Sequence, residues 1–295
     1  MIKRLPSQTR LSVTDKRTLK RIARQCAFFT HVVLGVIVLL GMPRAAHADV
    51  AILVHGYFSG DDAWQRSGVT AELENAGWKS LGRMIATGRE VIEREPTNRT
   101  EKHGYLLADL PSEAPLTIQA EGLKAILTTL RAQRGTERTI LIGHSAGGVV
   151  ARLLMVNGPE LAIHTLITIA APHLGTDKAE VAGLIASTPL AMMAPMMGAD
   201  TLNRSRALYA ELERERPGNF LYRLNRQPHP TARYVSIVRR EGFALSGDNT
   251  VPVWSQEMAR IIALKVRART AIQSGEGHAL ERQDGRILAR LLDSE

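Results

Sequence analysis

Residues Gly143-His144-Ser145-Ala146-Gly147 hold the clearest chemical signal in the chain, a serine with a glycine two places to either side. A serine hydroxyl is a weak nucleophile at neutral pH. To attack a carbonyl carbon it needs a base within hydrogen-bond reach, itself oriented by a third group. The flanking residues say how such a serine is presented. Thr139-Ile140-Leu141-Ile142 leads in as an apolar, β-prone run, and Val149 to Leu154 leads out with an apolar face at helical spacing. The serine therefore stands at a sharp strand-to-helix turn, the nucleophile elbow, where glycine at 143 and 147 removes a collision that side chains would make. Gly148 adds room for the helix to approach the sheet. The five-residue pattern alone arises easily by chance, and the strand before it and the helix after it carry the weight.

The base must come from nine histidines. His31 and His47 fall in an N-terminal segment treated below, and His103, His164 and His229 have no supporting context. His278 stands apart in Gly275-Glu276-Gly277-His278, a glycine-flanked loop after the last expected strand and directly before a helix. Serine early and histidine late is the chain order of a triad built on such an elbow.

Four landmarks recur in a familiar order. They are Val54-His55-Gly56-Tyr57, the elbow with Gly148, Ala170-Ala171-Pro172-His173-Leu174-Gly175-Thr176, and Gly247-Asp248-Asn249-Thr250-Val251-Pro252 ahead of His278. Together they span nearly the whole chain from residue 50 on, and the sequence resembles the α/β-hydrolase superfamily, within it the bacterial lipases and esterases. That resemblance implies an α/β-hydrolase fold: a mostly parallel sheet of about six strands, helices on both faces, and a helical cap inserted at about 176–230. It implies Ser145 as nucleophile, His278 as base, and Asp248 as acid, because Asp-x-x-Val-Pro matches those lipases. Asp177, just beyond the preceding strand, is the competitor, since some members take their acid from there. The oxyanion donors are expected to be the N–H of Ala146, directly after the serine, and by resemblance the N–H of Tyr57. His55, His144 and His173 belong to loop motifs that the family uses for shape. Asp200 and Asp284 read as solvated. The implied activity is hydrolysis of acyl or lipid esters through an acyl-enzyme. An acyltransferase, thioesterase or amidase would use the same triad, and a non-catalytic binding protein on this fold is the rival of another class. Some of these lipases carry a structural calcium; no dense carboxylate cluster is visible here, so no metal or other cofactor is expected.

Composition narrows the partners. The chain has 295 residues, 44% of them apolar, enough for one large core in a single α/β domain. Its formal charge of +9 would suggest nucleic acid, but the charge is concentrated at one end. Residues 1–48 hold nine of the 38 basic residues and one of the 29 acids, and the rest is close to neutral. The expected partner is a small acyl ester or lipid, with membrane contact only through the N-terminal segment or a lipid interface. That segment runs from a basic leader through the apolar Cys26 to Met42 and ends Ala46-His47-Ala48. This describes a secretory signal peptide cleaved after Ala48, with an uncleaved anchor as the competing reading; either puts residues 49–295 across a membrane, secreted or periplasmic. The single cysteine, Cys26, lies inside it, so the body carries no disulfide. The sequon Asn98-Arg99-Thr100 reads as a chance match.

The elements that must position these groups follow from the apolar pattern. Strands are expected at Val50–Val54, Trp78–Ala86, the run before the elbow, Ala162–Ala170, Arg233–Val238 and Lys265–Ile272. Residues 87–115 read as a long loop region, with a short strand suggested at Tyr105–Leu107. A helix over Thr117–Arg134 packs on the sheet, and another follows the first loop, to about Ala76. Between Thr176 and Pro230 the alternation stops. Val181 to Ile185, a methionine-rich run at Leu190 to Met197 and a charged helix around Ser205–Arg216 suggest a cap whose flexible methionines suit acyl chains or simply bury a helix face.

Overall fold

The computed structural model describes residues 49–88, 90–95, 101–135, 137–177, 205–239, 250–268 and 270–293. Strands β1 (Asp49–Val54), β2 (Lys79–Ala86), β3 (Val91–Arg94), β4 (His103–Asp109), β5 (Arg138–His144), β6 (Thr165–Ile169), β7 (Arg233–Arg239) and β8 (Thr270–Ser274) form one sheet in the order β3-β2-β4-β1-β5-β6-β7-β8. Every neighbouring pair is parallel except β2 with β3. The helices are α1 (Ala63–Arg66), α2 (Val69–Asn75), α3 (Leu116–Arg134), α4 (Ala146–Asn157), α5 (Arg206–Glu211), α6 (Phe220–Leu224), α7 (Val253–Gln256) and α8 (Arg282–Asp293).

β1 is buried at every position, because it is paired on both edges and covered on both faces. Strands so placed read as unbroken apolar runs. Their alternation still sorts side chains. Ile52, Leu106, Leu141 and Leu166 face α3 and α4, whereas Ala51, Leu53, Ile140, Ile142, Ile167 and Val235 face Trp64, Leu73 and the apolar stripe Ile287-Leu288-Leu291-Leu292 of α8.

The sheet has eight strands where about six were expected. The stretch expected to be a loop at 87–115 contains β3, a four-residue edge strand too short to show a period, and β4, which includes the short strand expected at Tyr105–Leu107 and runs past it on both sides through His103, Gly104, Ala108 and Asp109. Lys265–Ala268 is a 3-10 turn, and the last strand starts only at Thr270. In the segment expected to form the cap, α5 is shorter than the expected charged helix, and Thr176 bridges Glu213. Residues 1–48, the apolar runs at 181–185 and 190–197, Asp200 and Asp248 lie outside the described residues.

Because β1, β5, β6, β7 and β8 run parallel, the loops leaving them emerge on one edge. From β1 the chain moves to one side of the sheet and from β5 to the other, so the winding of the sheet reverses between these two strands. Open α/β sheets bind ligands at such a point.

Candidate active site

Ser145 joins β5 to α4 with φ 51° and ψ −128°, a conformation that a side-chain-bearing residue rarely adopts and that costs about 1–3 kcal/mol. Its N–H donates to the carbonyl of Ile169 at 2.8 Å, and its own carbonyl accepts from Gly148 at 3.0 Å. The glycine requirement is explicit. A Cβ on Gly143 would lie 2.5 Å from the Cα of Gly148, and one on Gly147 would lie 2.2 Å from the carbonyl oxygen of His55. These obstacles are backbone and cannot swing away. Alanine normally favours a helix over glycine by about 1 kcal/mol. Gly147→Ala is nonetheless expected to lower stability by about 1–3 kcal/mol, read from a urea midpoint, because the elbow must part from the loop after β1. A variant as stable as the parent would show that the contact yields.

Nε2 of His278 lies 2.8 Å from Oγ of Ser145, placed to accept the hydroxyl proton. The two residues are 133 positions apart in the chain. His144, immediately before the serine, donates through Nε2 to the backbone carbonyl of His278 at 2.8 Å. A carbonyl only accepts, so this nitrogen carries the proton. Burial, reinforced by the neighbouring His278, pushes the His144 imidazole down to about 3 and keeps it neutral.

The loop after β1 lies against the nucleophile, since a Cβ on Gly56 would stand 3.0 Å from the Cβ of Ser145. His55 pins that loop. Its Nε2 accepts the N–H of Leu110 at 3.0 Å while its Nδ1 donates to the carbonyl of Gly56 at 2.9 Å. Tyr57 is buried, and its phenol bonds the Tyr209 hydroxyl at 2.6 Å and the Ser205 Oγ at 3.1 Å, tying the loop to α5. Ala146 opens α4, where an N–H has no partner within the helix.

Asp248 lies outside the described residues, but the chain just beyond it is anchored. Gln256 donates to the carbonyl of Val251 at 2.6 Å and accepts the N–H of Arg239, at the end of β7, at 2.8 Å. Asp177 is largely exposed and stands 4.0 Å from Arg214.

Asp284 is not solvated; it is wholly buried and paired with the equally buried Arg239. Residues 284, 287, 288, 291 and 292 form one buried face of α8. That helical spacing was available in the sequence and would have placed Asp284 inside. A second buried cation, Arg152, sits between the imidazole of His229 at 3.2 Å and the carbonyl of His173 at 3.4 Å. Burial pushes this guanidinium down to about 9. His173 bonds Thr168 Oγ1 at 3.0 Å and holds the turn after β6. Among the described residues no group of histidine, cysteine, aspartate and glutamate is arranged to hold a metal ion.

The sequence model of the alpha/beta hydrolase family matches residues 51–290. A gene product of Listeria innocua is 13% identical with a TM-score of 0.54, over 83% of this chain and 91% of that one. A Lactobacillus plantarum protein described as a cell surface hydrolase is 15% identical with a TM-score of 0.52, over 85% and 91%. At such identities the likeness shows the fold. No curated protein matches the sequence at a significant level.

Proposed function

Because the chain belongs to the alpha/beta hydrolase family, we propose that it is an exported serine hydrolase that cleaves carboxylic esters of acyl or lipid character through an acyl-enzyme. The observation that carries this reading is the 2.8 Å approach of His278 Nε2 to Ser145 Oγ at a strained elbow. Ser145 attacks the acyl carbonyl carbon while His278 accepts the hydroxyl proton. The N–H groups of Ala146 and Tyr57 receive the oxyanion. On collapse the ester C–O bond breaks, and the imidazolium returns its proton to the departing alkoxide. Water then attacks the acyl-enzyme with His278 again as base, and the carboxylic acid leaves. Asp248 takes the third role, accepting from Nδ1 of His278 and stabilising the cation.

The rings of Phe58 and Tyr209, 5.6 and 5.4 Å from that of Tyr57, set apolar surface along the loop that receives the oxyanion. Such a rim favours an acyl chain over a sugar or a peptide. Export follows from the basic leader and apolar run ahead of residue 49, acting as a cleaved signal. A series of p-nitrophenyl esters of increasing acyl length, run with and without an aggregated lipid interface, tests the proposal. Ester turnover is expected, with the matched p-nitroanilides far slower. No ester turnover, or faster anilides, sinks the ester reading. Transfer to an added alcohol in preference to water reassigns the protein to the acyltransferases.

A further inference from the structure

The loop from Gly275 to Glu281 carries His278 and has two glycines just before it, yet its backbone is tied at three closely spaced points. His144 donates to the carbonyl of His278 at 2.8 Å, Arg239 Nη2 donates to the carbonyl of Ala279 at 2.8 Å, and the N–H of Glu281 donates to Asp284 Oδ2 at 2.8 Å. Arg239 and Asp284 are wholly buried and joined by two parallel bonds of 2.6 and 2.8 Å. Ser274 completes the set, donating to Asp284 Oδ1 at 2.9 Å and accepting from Arg239 at 3.2 Å. The pair therefore draws together the end of β7, the end of β8 and the first turn of α8 around the loop. Burial pushes the Asp284 carboxyl up, but the hydrogen bonds and charge of Arg239, with Glu281 and Ser274, outweigh it and hold the group below its ordinary value.

A buried ion pair is a poor source of stability, and well-packed apolar side chains of like volume often replace one without loss. What apolar side chains cannot replace is direction. This pair aims a donor at one backbone atom of the loop and an acceptor at another, one and three residues after the histidine whose distance to the serine decides proton transfer. We propose that Arg239 and Asp284 are positioning residues which, with His144, hold the loop so that the His278 imidazole stays in register with the Ser145 hydroxyl. The inference rests on Ser145 and His278 being nucleophile and base.

Two sets of variants test it with p-nitrophenyl butyrate. Asp284→Leu alone strands a buried guanidinium and is expected to unfold readily. Arg239→Met with Asp284→Leu removes both charges and is expected to restore the melting temperature while kcat stays about 10²-fold low at unchanged KM. A stable double variant with the parental kcat overturns the proposal. The second set leaves the pair alone and holds whatever the double variant does. His144→Gln, which keeps a donor, is expected to retain most of the parental kcat, and His144→Leu to lose at least about tenfold with KM unchanged. Equal kcat in the two overturns the proposal. Covalent labelling of Ser145 by a fluorophosphonate separates the two levels. If the parent is not labelled, the nucleophile itself is misassigned; if it is labelled and the variants turn over like the parent, the positioning claim alone fails.

Discussion

Replacing Ser145 with alanine is expected to lower kcat for ester hydrolysis on the order of 10⁶-fold, with the melting temperature within a few degrees of the parent. The size follows from how the elbow is built. Oγ is the atom His278 Nε2 faces at 2.8 Å, and alanine removes it. What survives is the contribution of the oxyanion donors and of substrate binding, about 10³–10⁴-fold over water. The fold should tolerate the change because serine and alanine share a Cβ, so the strain at φ 51° is the same in both. The backbone bonds to Ile169 and Gly148 also remain. A steady-state assay and fluorophosphonate labelling check this together. More than about one per cent of parental kcat, or undiminished labelling, would falsify the assignment of the nucleophile.

The protein is expected to lose its fold on mild acidification, between about pH 5 and 4, through three buried imidazoles. Burial pushes His144 down to about 3, and burial with the charge of Arg152 pushes His229 down to about 4 and His173 well below its ordinary value. In the unfolded chain the same groups take up protons near pH 6.5. Between those limits the unfolded state binds more protons than the native one, so stability rises with pH and falls as acid is added. Each histidine contributes up to about 1.4 kcal/mol per pH unit, and three together about 4, against a net stability of about 5–15 kcal/mol. Asp61 and Glu211, raised mainly by desolvation, take up protons earlier than in the unfolded chain and offset part of the loss. Urea midpoints measured from pH 7 to pH 4.5 should fall steadily at constant slope. A flat profile from pH 7 to 5 would mean that these rings are charged or solvated in the native state.

Much of the candidate site is legible in the sequence alone. Gly143, Ser145 and Gly147 announce themselves because a strained turn in close contact with backbone permits few residue types, and that restriction is local. His278 stood out by position, in a glycine-containing loop after the last expected strand and directly before a helix. β3 was hidden by shortness, since a four-residue edge strand shows no period, and of β4 only the apolar centre at Tyr105–Leu107 showed, because polar residues flank it. Asp284 was misread because carboxylates are rarely buried, although its place on the apolar face of α8 argued otherwise. His144 looked like a shape residue of the elbow, and its bond to the carbonyl of His278 belongs to a residue 134 places away.

By itself the sequence determined the local chemistry: which residues can occupy a tight turn, which runs must be buried strands, which faces of helices are apolar. Those preferences arise between near neighbours, through steric clash and the periodicity of side chains along a strand or a helix. Only the tertiary structure decided which distant groups meet. The parallel order β1-β5-β6-β7-β8 brings the ends of five strands to one edge, and there an imidazole reaches a hydroxyl 133 residues earlier while a buried arginine reaches an aspartate 45 residues later. Such pairings carry no mark in either partner's neighbourhood, because the free energy that selects them is that of packing both faces of the sheet at once.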